Sequence, residues 1–332
     1  MRPGPWCPDS SIHSRDEDDA ESKPAAQFAV WIEGRGGRAL RGAPAKPARA
    51  HYRAREQPDW RVRMADLCMH TMNRSAYLLG DEDPDLEGQI HAAAEAGFRW
   101  IGPDSYTIDD YLERGGSVAG LAATIEAAGM RTFEQPTWLV NDDLATVRKD
   151  ADDMLEVAAV LRPDFLQINV DTRVNDDLLD EMRRAGDRFL ELGVRLAVEY
   201  LPWLPEIRNI ESTRAMLAKA DIEGAGVLVD SWHFTHSDDT WEILEALPVE
   251  EIAYIQFNDH PPLESDDLVA ETLGRRVMPG QGCFELERFC RVIRDKGYDR
   301  PVSCEILSND TRHMDLGEFA RRVYQSASPY WD

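Results

Sequence analysis

The stretch "FLELGVRLAVEYLPW", residues 189–203, contains the end of one structural element and the whole of the next. An amphipathic pattern runs up to Leu192, Gly193 follows, and an apolar run begins at once. Glycine directly after a periodic segment is a helix stop signal. The same joint recurs as "AEAGFR" at 94–99 and "IEAAGMR" at 125–131. The chain is therefore expected to repeat a unit in which an amphipathic helix leads into a short buried strand.

Eight short apolar segments with helical patterns between them extend this repeat along the chain. Their starts lie about 27 to 35 residues apart, except for a last interval near 49. Strands that alternate with helices form a parallel sheet, and eight such units predict an α/β fold, the closed (β/α)8 TIM barrel. A doubly wound open sheet is the alternative, although it usually carries a Gly-rich loop after its first strand, and "CMHTMNRSAYLLG" (68–80) is not one. The predicted strands are 65–72, 99–106, 131–140, 164–170, 195–203, 226–234, 252–259 and 301–307.

The first 63 residues differ in composition from the rest. They are rich in Arg, Pro, Ala and Gly, and they carry 12 Lys and Arg against 9 Asp and Glu. Subtracting from the totals of 37 and 62 leaves 25 against 53 for the remainder. A segment with so little apolar periodicity cannot offset its ordering entropy by burial. We expect 1–63 to be a disordered tail or a mis-assigned gene start, with Met64 as the natural start and 64–332 as a catalytic TIM-barrel domain.

The overall composition narrows the class of protein. A hydrophobic content of 43% suffices for a full core, and no apolar run reaches the roughly 18 residues of a membrane helix. The net charge of −25 disfavours nucleic-acid partners, which need basic surfaces. The five cysteines are scattered without CxxC spacing, which is typical of reduced thiols. We therefore expect a cytoplasmic protein with no membrane and no nucleic-acid partner.

Polar residues end the late predicted strands, where TIM barrels hold their chemistry. They are Glu199, Asp230 with His233 three residues on, Gln256, and Glu305. Several carboxylates in apolar strands would repel one another strongly, and a bound cation relieves this. An all-oxygen shell suits Mn²⁺ or Mg²⁺ better than Zn²⁺. The alternative for any single Glu is an outward-facing or rim position.

A long connection, residues 259–282, follows the seventh predicted strand. Long loops on the active face often act as lids. Its Pro279-Gly280-Gln281-Gly282 turn is rigid, and Arg276 just before it is expected to point back across the barrel mouth toward an anionic or hydroxyl-rich substrate. The alternative is a solvated arginine pair in a mobile loop.

Five segments in this order resemble the xylose isomerase-like TIM-barrel superfamily, in particular the sugar phosphate isomerase/epimerase group. The resemblance implies that one divalent metal is held by Glu199, Asp230, Gln256 and Glu305, and that His233 and Arg276 contact substrate. Ketose epimerases of the group usually have His where this chain has Gln256. Glutamine at this position resembles the branch that includes 3-dehydroshikimate dehydratases. The segments are "AVEYLPW", "VDSWHF", "YIQFND", "RRVMPGQG" and "VSCEIL".

The expected activity is a metal-dependent isomerase or epimerase of a sugar or keto-polyol acting through an enediolate, with Glu199 and Glu305 as acid and base. The alternatives are a lyase of the dehydratase or keto-sugar eliminase type and a non-catalytic or partner-dependent barrel subunit. The expected partner is a small sugar, keto-sugar or cyclic polyol, and a homo-oligomer stays open. His70 and Trp203 are further candidates for substrate binding. Other side chains that could line the pocket are Trp138, Trp232 and Tyr106.

Overall fold

A computed structural model describes residues 66–331, and these residues form a TIM barrel, as predicted. All strand pairs within the sheet are parallel, in the order β3-β2-β1-β9-β8-β7-β6-β5-β4. The prediction for residues 1–63 lies outside the described residues. The strands are β1 Leu67–His70, β2 Trp100–Gly102, β3 Arg131–Thr132, β4 Glu134–Val140, β5 Phe165–Val170, β6 Arg195–Glu199, β7 Gly226–Asp230, β8 Ile252–Phe257 and β9 Val302–Cys304.

The nine strands of the described chain correspond to the eight predicted segments, because the third segment divides at Phe133 into β3 and β4. The backbone N–H of Phe133 donates to the Ile101 carbonyl at 2.9 Å, and its carbonyl accepts from the Phe165 N–H at 3.0 Å. Phe133 thus joins the two ends of the sheet and closes the barrel.

Twelve α-helices of the described region connect the strands. Most begin at a capping side chain, for example Asn175 before α6, whose Oδ1 accepts from the Leu178 N–H at 2.9 Å. The glycines of the three repeated joints, Gly97, Gly129 and Gly193, have φ of 111°, 71° and 80°, the left-handed region that glycine tolerates best. The helices α1 to α12 are Ala76–Leu79, Leu86–Ala96, Ser105–Glu113, Val118–Ala127, Leu144–Leu161, Asp176–Glu191, Ile210–Ala220, Ser231–His236, Trp241–Ala246, Leu268–Gly274, Leu286–Asp295 and Leu316–Trp331.

The barrel interior is filled below its C-terminal end by a cluster that we call the lower layer. Aromatic rings meet edge to face in it, with the Phe133 centroid 5.6 Å from that of Phe165 and 5.3 Å from that of Tyr254. Such pairs are favourable beyond the area they bury. The barrel is therefore a packed core here, and a site can lie only above it. The lower layer comprises Cys68, Trp100, Phe133, Phe165, Ala197, Leu228, Ala253 and Tyr254.

No helix between residues 66 and 331 is long and apolar enough to cross a membrane. Cys68, Cys290 and Cys304 are free thiols.

Candidate active site

A second layer of inward-facing side chains lies directly above the lower layer, and we call it the upper layer. Alternate residues of a strand point to the same side, so most of its members come two positions after a lower-layer residue. Glu199 follows Ala197 in this way, and Asp230 follows Leu228. Every member is at least nine-tenths buried. The upper layer comprises His70, Gln167, Glu199, Asp230, Gln256 and Glu305.

The carboxylate of Glu199 is held on one side and open on the other. Its Oε2 accepts from Nε2 of Gln167 at 2.7 Å and from Nδ2 of Asn169 at 2.8 Å. Its Oε1 lies 3.3 Å from Nε2 of His233 and faces the centre of the layer. Glu199 is therefore oriented by two donors that leave one oxygen available.

The two oxygens of Asp230 have different roles: one caps a helix, and the other faces the upper layer. Its Oδ1 accepts from the N–H groups of Trp232 at 2.7 Å and His233 at 2.9 Å, and so caps α8. Its Oδ2 accepts from Nδ2 of Asn258 at 2.9 Å and from Nη1 of Arg276 at 2.8 Å. Burial alone would raise the pKa of this carboxyl, but the charge of Arg276 and the cap bonds lower it below its usual range.

Gln256 brings a third oxygen to the same point. Its Nε2 donates to Oε1 of Gln167 at 3.2 Å, and its Oε1 then lies 2.6 Å from Oε1 of Glu199 and 3.3 Å from Oδ2 of Asp230. Turning the amide over would give both carboxylates an N–H donor, but it would set the Gln256 oxygen against the Gln167 oxygen at 3.2 Å. Gln167 cannot turn in response, since its nitrogen is bound to Glu199. The orientation that suits Gln167 therefore makes three oxygens converge.

Three converging oxygens repel one another unless a cation lies between them, so the donor set fits a divalent metal. Across residues 66–331, one group of at least three acidic, His or Cys side chains has ligand atoms within 4.8 Å of one another: Glu199, Asp230 and His233. Glu305, one of the four expected ligands, is outside this group. His233, expected to contact substrate, is inside it.

Arg276 is buried, with 1% of its surface exposed, so the alternative of a solvated arginine is wrong for this residue. Its Nη1 donates to Oδ2 of Asp230 at 2.8 Å and to Oε2 of Glu305 at 2.9 Å. Thr272 accepts from the Nε and Nη2 of the same guanidinium. Arg276 therefore supplies positive charge to the acidic side of the upper layer.

The turn that carries Arg276 is fixed to the end of β8 by Asp259. This carboxylate accepts from the backbone N–H groups of Gly280 at 3.0 Å, Gly282 at 2.8 Å, Phe284 at 3.2 Å and His260 at 2.8 Å. A Cβ at Gly282 would lie 2.3 Å from Oδ1 of Asp259. The glycine-rich part of the motif is thus explained by the close approach of this carboxylate, and Asp259 is a loop anchor.

Glu305 lies between Arg276 and His70, with its Oε1 3.5 Å from Nε2 of the imidazole. The Nδ1 of His70 accepts from the Met72 N–H at 3.0 Å, so a neutral His70 carries its proton on Nε2, facing Glu305. Burial raises the pKa of the Glu305 carboxyl to about 7, against the opposing effect of His70 and Arg276. A cation bound nearby would lower that pKa.

Aromatic side chains stand beside His233. Trp203 is half-buried, with its ring centroid 5.5 Å from that of His233 and 6.4 Å from that of Trp232, both edge to face. Trp138, by contrast, is fully buried and donates to the Val147 carbonyl at 3.1 Å, so its expected place in the pocket is wrong. It packs between β4 and α5 instead. Tyr106 pairs with Tyr77 at 5.2 Å between ring centroids.

Several buried polar residues of the site were not predicted from the sequence. Gln167 and Asn169 alternate in the apolar run "DFLQINV", and this alternation is a signal that could have found them. Glu134 is fully buried, and its Oε1 accepts from the hydroxyl of Ser303 and from the Cys68 thiol at 3.5 Å. Gly102 gives it space, since a Cβ there would lie 2.4 Å from Cγ of Glu134. No period or motif distinguishes Glu134 from a rim residue.

The chain belongs to a known family. The family model of the xylose isomerase-like TIM barrel matches residues 90–323. The resemblance inferred from the five segments is thereby confirmed.

Relatives and solved structures extend this result. A 3-dehydroshikimate dehydratase of Pseudomonas aeruginosa is 30% identical over 135 residues, which are 41% of this chain and 21% of that protein. A protein of the same name from Pseudomonas putida is 27% identical over 135 residues, with the same coverage. The matched region spans about a fifth of the length of these relatives. The structure of an IolI protein with a bound zinc atom aligns with a TM-score of 0.69 at 16% identity, over 80% of this chain and 97% of that chain.

Proposed function

We propose that this barrel is a divalent-cation-dependent enzyme that removes the proton next to the carbonyl of a small, polyhydroxylated keto compound. The observation that supports it is the convergence of Oε1 of Glu199, Oδ2 of Asp230 and Oε1 of Gln256. Glu305, whose Oε2 shares Nη1 of Arg276 with Oδ2 of Asp230, is the proposed fourth ligand. Oxygen donors of this kind favour Mn²⁺ or Mg²⁺. When bound, the cation supplies Lewis acidity that stabilises negative charge on the substrate oxygens.

The two glutamates are the proposed acid and base. Each has an imidazole beside one oxygen: Glu199 has His233 at 3.3 Å, and Glu305 has His70 at 3.5 Å. Such a pair can pass a proton between substrate and side chain and hold it between steps. His233, Arg276 and His70 also offer donors to substrate hydroxyls, and Trp203 limits the pocket on one side.

Elimination of water is the outcome that we favour. One carboxylate takes the proton from the carbon next to the carbonyl, and the electron pair forms a carbon–carbon double bond as the hydroxyl on the next carbon leaves. A protonated side chain gives that hydroxyl its proton, so water is the product and no oxidant is needed. Gln256 in the ligand position and the two dehydratases among the relatives support this outcome over epimerisation.

Isomerisation or epimerisation is the second candidate, and the two carboxylate–imidazole pairs favour it. A proton removed by one pair and returned by the other, on a different face or carbon, changes the configuration or position of the carbonyl without loss of atoms. The substrate, rather than the residues around it, would then decide between the two outcomes.

The test is an exchange experiment in D₂O with Mn²⁺. Dehydroshikimate, ketoses, inososes and 3-keto-glycosides are each incubated with the chelator-stripped and Mn²⁺-loaded enzyme, and deuterium next to the carbonyl is measured by mass spectrometry. We expect exchange or product with at least one substrate, a fall of about a thousandfold after chelation, and a comparable fall in Glu305→Gln. The exposed pair of Glu318 with Arg322 provides the control variant Glu318→Gln, which should retain activity.

The competing class, a barrel without its own catalysis, predicts a different result. Protein that binds Mn²⁺ but exchanges no deuterium with any of these compounds would support a partner-dependent subunit and contradict the enzyme proposal. The further assignment to the cytoplasm is supported by the free thiols of Cys68, Cys290 and Cys304, which are typical of reducing compartments.

A further inference from the structure

Gln167, a residue with no assigned role, contacts more of the upper layer than its position in mid-strand suggests. It lies on β5 and is 3% exposed. Its Oε1 lies 3.4 Å from Nε2 of His70 and 3.2 Å from both the Tyr254 hydroxyl and Nε2 of Gln256. Its Nε2 donates to Oε2 of Glu199 at 2.7 Å. Both ends of this amide are therefore engaged with residues of the site.

The orientation of the Gln167 amide is fixed by charge. A donor to a carboxylate makes a stronger hydrogen bond than a donor to a neutral oxygen. If Gln167 turned over, its oxygen would face Oε2 of Glu199 at 2.7 Å, and its nitrogen would face the donors of Tyr254 and Gln256. Gln167 therefore presents oxygen to Gln256 whether or not a cation is bound.

The orientation of Gln256 follows from that of Gln167. The Gln256 Nε2 donates to the Gln167 oxygen at 3.2 Å, and the Gln256 Oε1 then points to Glu199 and Asp230, whereas the reverse orientation would set two amide oxygens against each other. Without Gln167, nothing opposes the reverse orientation, in which the Gln256 nitrogen donates to both carboxylates at 2.6 and 3.3 Å. In that state both carboxylates accept hydrogen bonds from the Gln256 nitrogen, and no third oxygen is available to a cation.

We propose that Gln167 is a positioning residue that makes Gln256 an oxygen ligand, and that the cation affinity of the site depends on this one amide-to-amide hydrogen bond. The inference rests on the proposed function, since it assumes that the site binds a divalent cation. Outer residues that orient a ligand typically change metal affinity by about 10- to 100-fold.

The test measures Mn²⁺ affinity, with free Mn²⁺ followed by electron paramagnetic resonance during titration of the chelator-stripped protein. We expect Gln167→Met, which keeps the side-chain length but offers no hydrogen bond, to bind Mn²⁺ about 10- to 100-fold more weakly than wild type. Asn169→Leu is the matched control, because Asn169 donates to the same oxygen of Glu199 and has no bond to Gln256. Asn169→Leu removes a donor to Glu199 alone, so we expect it to weaken binding less than Gln167→Met does, and an equal loss in the two variants would overturn the proposal.

A second background isolates the orientation itself. A carboxylate at position 256 has oxygen at both ends and needs no orienting partner. In Gln256→Glu, the added change Gln167→Met removes only the donor to Glu199, so we expect it to weaken Mn²⁺ binding less than it does in wild type, and the two positions are coupled. A purely structural role for Gln167 would weaken binding equally in both backgrounds and would overturn the proposal.

Failure of this inference is distinguishable from failure of the proposed function. If wild type binds Mn²⁺ and exchanges deuterium while Gln167→Met binds Mn²⁺ equally well, only the inference is overturned. If wild type binds no Mn²⁺, the proposed function fails and the inference with it. Should circular dichroism show that Gln167→Met is unfolded, Gln167→Ala replaces it as a second variant without a hydrogen bond to Gln256, and binding as tight as that of wild type would overturn the inference.

Discussion

The lower and upper layers are built largely on the same strands, two residues apart, and they differ completely in what holds them together. In the lower layer, the rings of Phe133 and Tyr254 meet edge to face, an arrangement that stabilises the core. In the upper layer, the oxygens of Glu199, Asp230 and Gln256 face one another. The lower layer therefore stabilises the barrel, and this stability allows the upper layer to hold oxygens that repel one another.

The largest expected change in the free energy of unfolding comes from a substitution in the lower layer. Phe133→Ala should reduce the free energy of unfolding by about 3–5 kcal/mol, because it removes a fully buried ring that contacts those of Trp100, Phe165 and Tyr254. Urea denaturation measures this, with Val160→Ala, at a 44% exposed position, as the control. A loss below about 1 kcal/mol would show that the lower layer does not carry the stability assigned to it.

The next effect lies at the boundary between the layers. Gly102→Ala should cost about 1–3 kcal/mol, because the new Cβ would lie 2.4 Å from Cγ of Glu134. In a Glu134→Ala background the same change meets empty space, so its cost should largely disappear. The double-mutant cycle is measured by thermal and urea unfolding. Equal costs in both backgrounds would rule out the contact as the cause.

A smaller effect is the pH dependence of the free energy of unfolding that arises from His236, at the rim of the upper layer. His236 stacks on Trp232 at 4.0 Å between ring centroids and lies edge to face with His260 at 4.5 Å. Burial, together with His260, lowers the pKa of His236 from its ordinary value of 6.5 to about 3. Between these values His236 binds a proton in the unfolded chain but not in the folded chain, so its contribution to stability falls as the pH falls, by about 1 kcal/mol at pH 5.5.

The measurement is the free energy of unfolding of the metal-free protein from pH 7.5 to 5. The stability of His236→Phe relative to wild type should rise by about 1 kcal/mol toward pH 5.5, and taking this difference removes the opposing contribution of Glu305, whose pKa is raised by burial. His91 is exposed, and His91→Phe serves as the matched control. A difference between His236→Phe and wild type that does not change from pH 7.5 to 5 would contradict the lowered pKa of His236.

The smallest effect is expected far from both layers. Lys149 and Asp153 form an exposed pair on α5 at 2.6 Å, one helical turn apart. Lys149→Ala should change the free energy of unfolding by at most about 0.5 kcal/mol, because water and salt screen the pair. Unfolding at low and high NaCl measures it, and a loss above about 1 kcal/mol would mean that surface charge matters as much as the barrel interior.

The repeat of strands and helices was predictable because each strand is a short apolar run and a glycine ends the helix at each repeated joint. The division of 131–140 at Phe133 was not, since it depends on the registers of two neighbours that no local pattern records. The polar ends of the late strands were predicted, because Glu199 and Asp230 interrupt apolar runs.

Other parts of the site were beyond the sequence for physical reasons. Spacing placed Arg276 near the mouth but could not indicate that its guanidinium is buried between Asp230 and Glu305. The role of Gln167 depends on which way two amides face, and Trp138 resembles a strand-end aromatic until α5 is packed over it.

The position of β1 has a consequence for dissecting this protein. It pairs with β2 on one side and β9 on the other, yet it precedes residue 90, where the family match begins. Asn73, just after it, donates to the Cys304 carbonyl at 3.0 Å and accepts from the Ile306 N–H. A fragment cut at the recognised family boundary would expose two unpaired strand edges, which are templates for self-association. Protein expressed from residue 90 onward would therefore aggregate, whereas protein that includes residues 66–89 keeps β1 and the closed barrel.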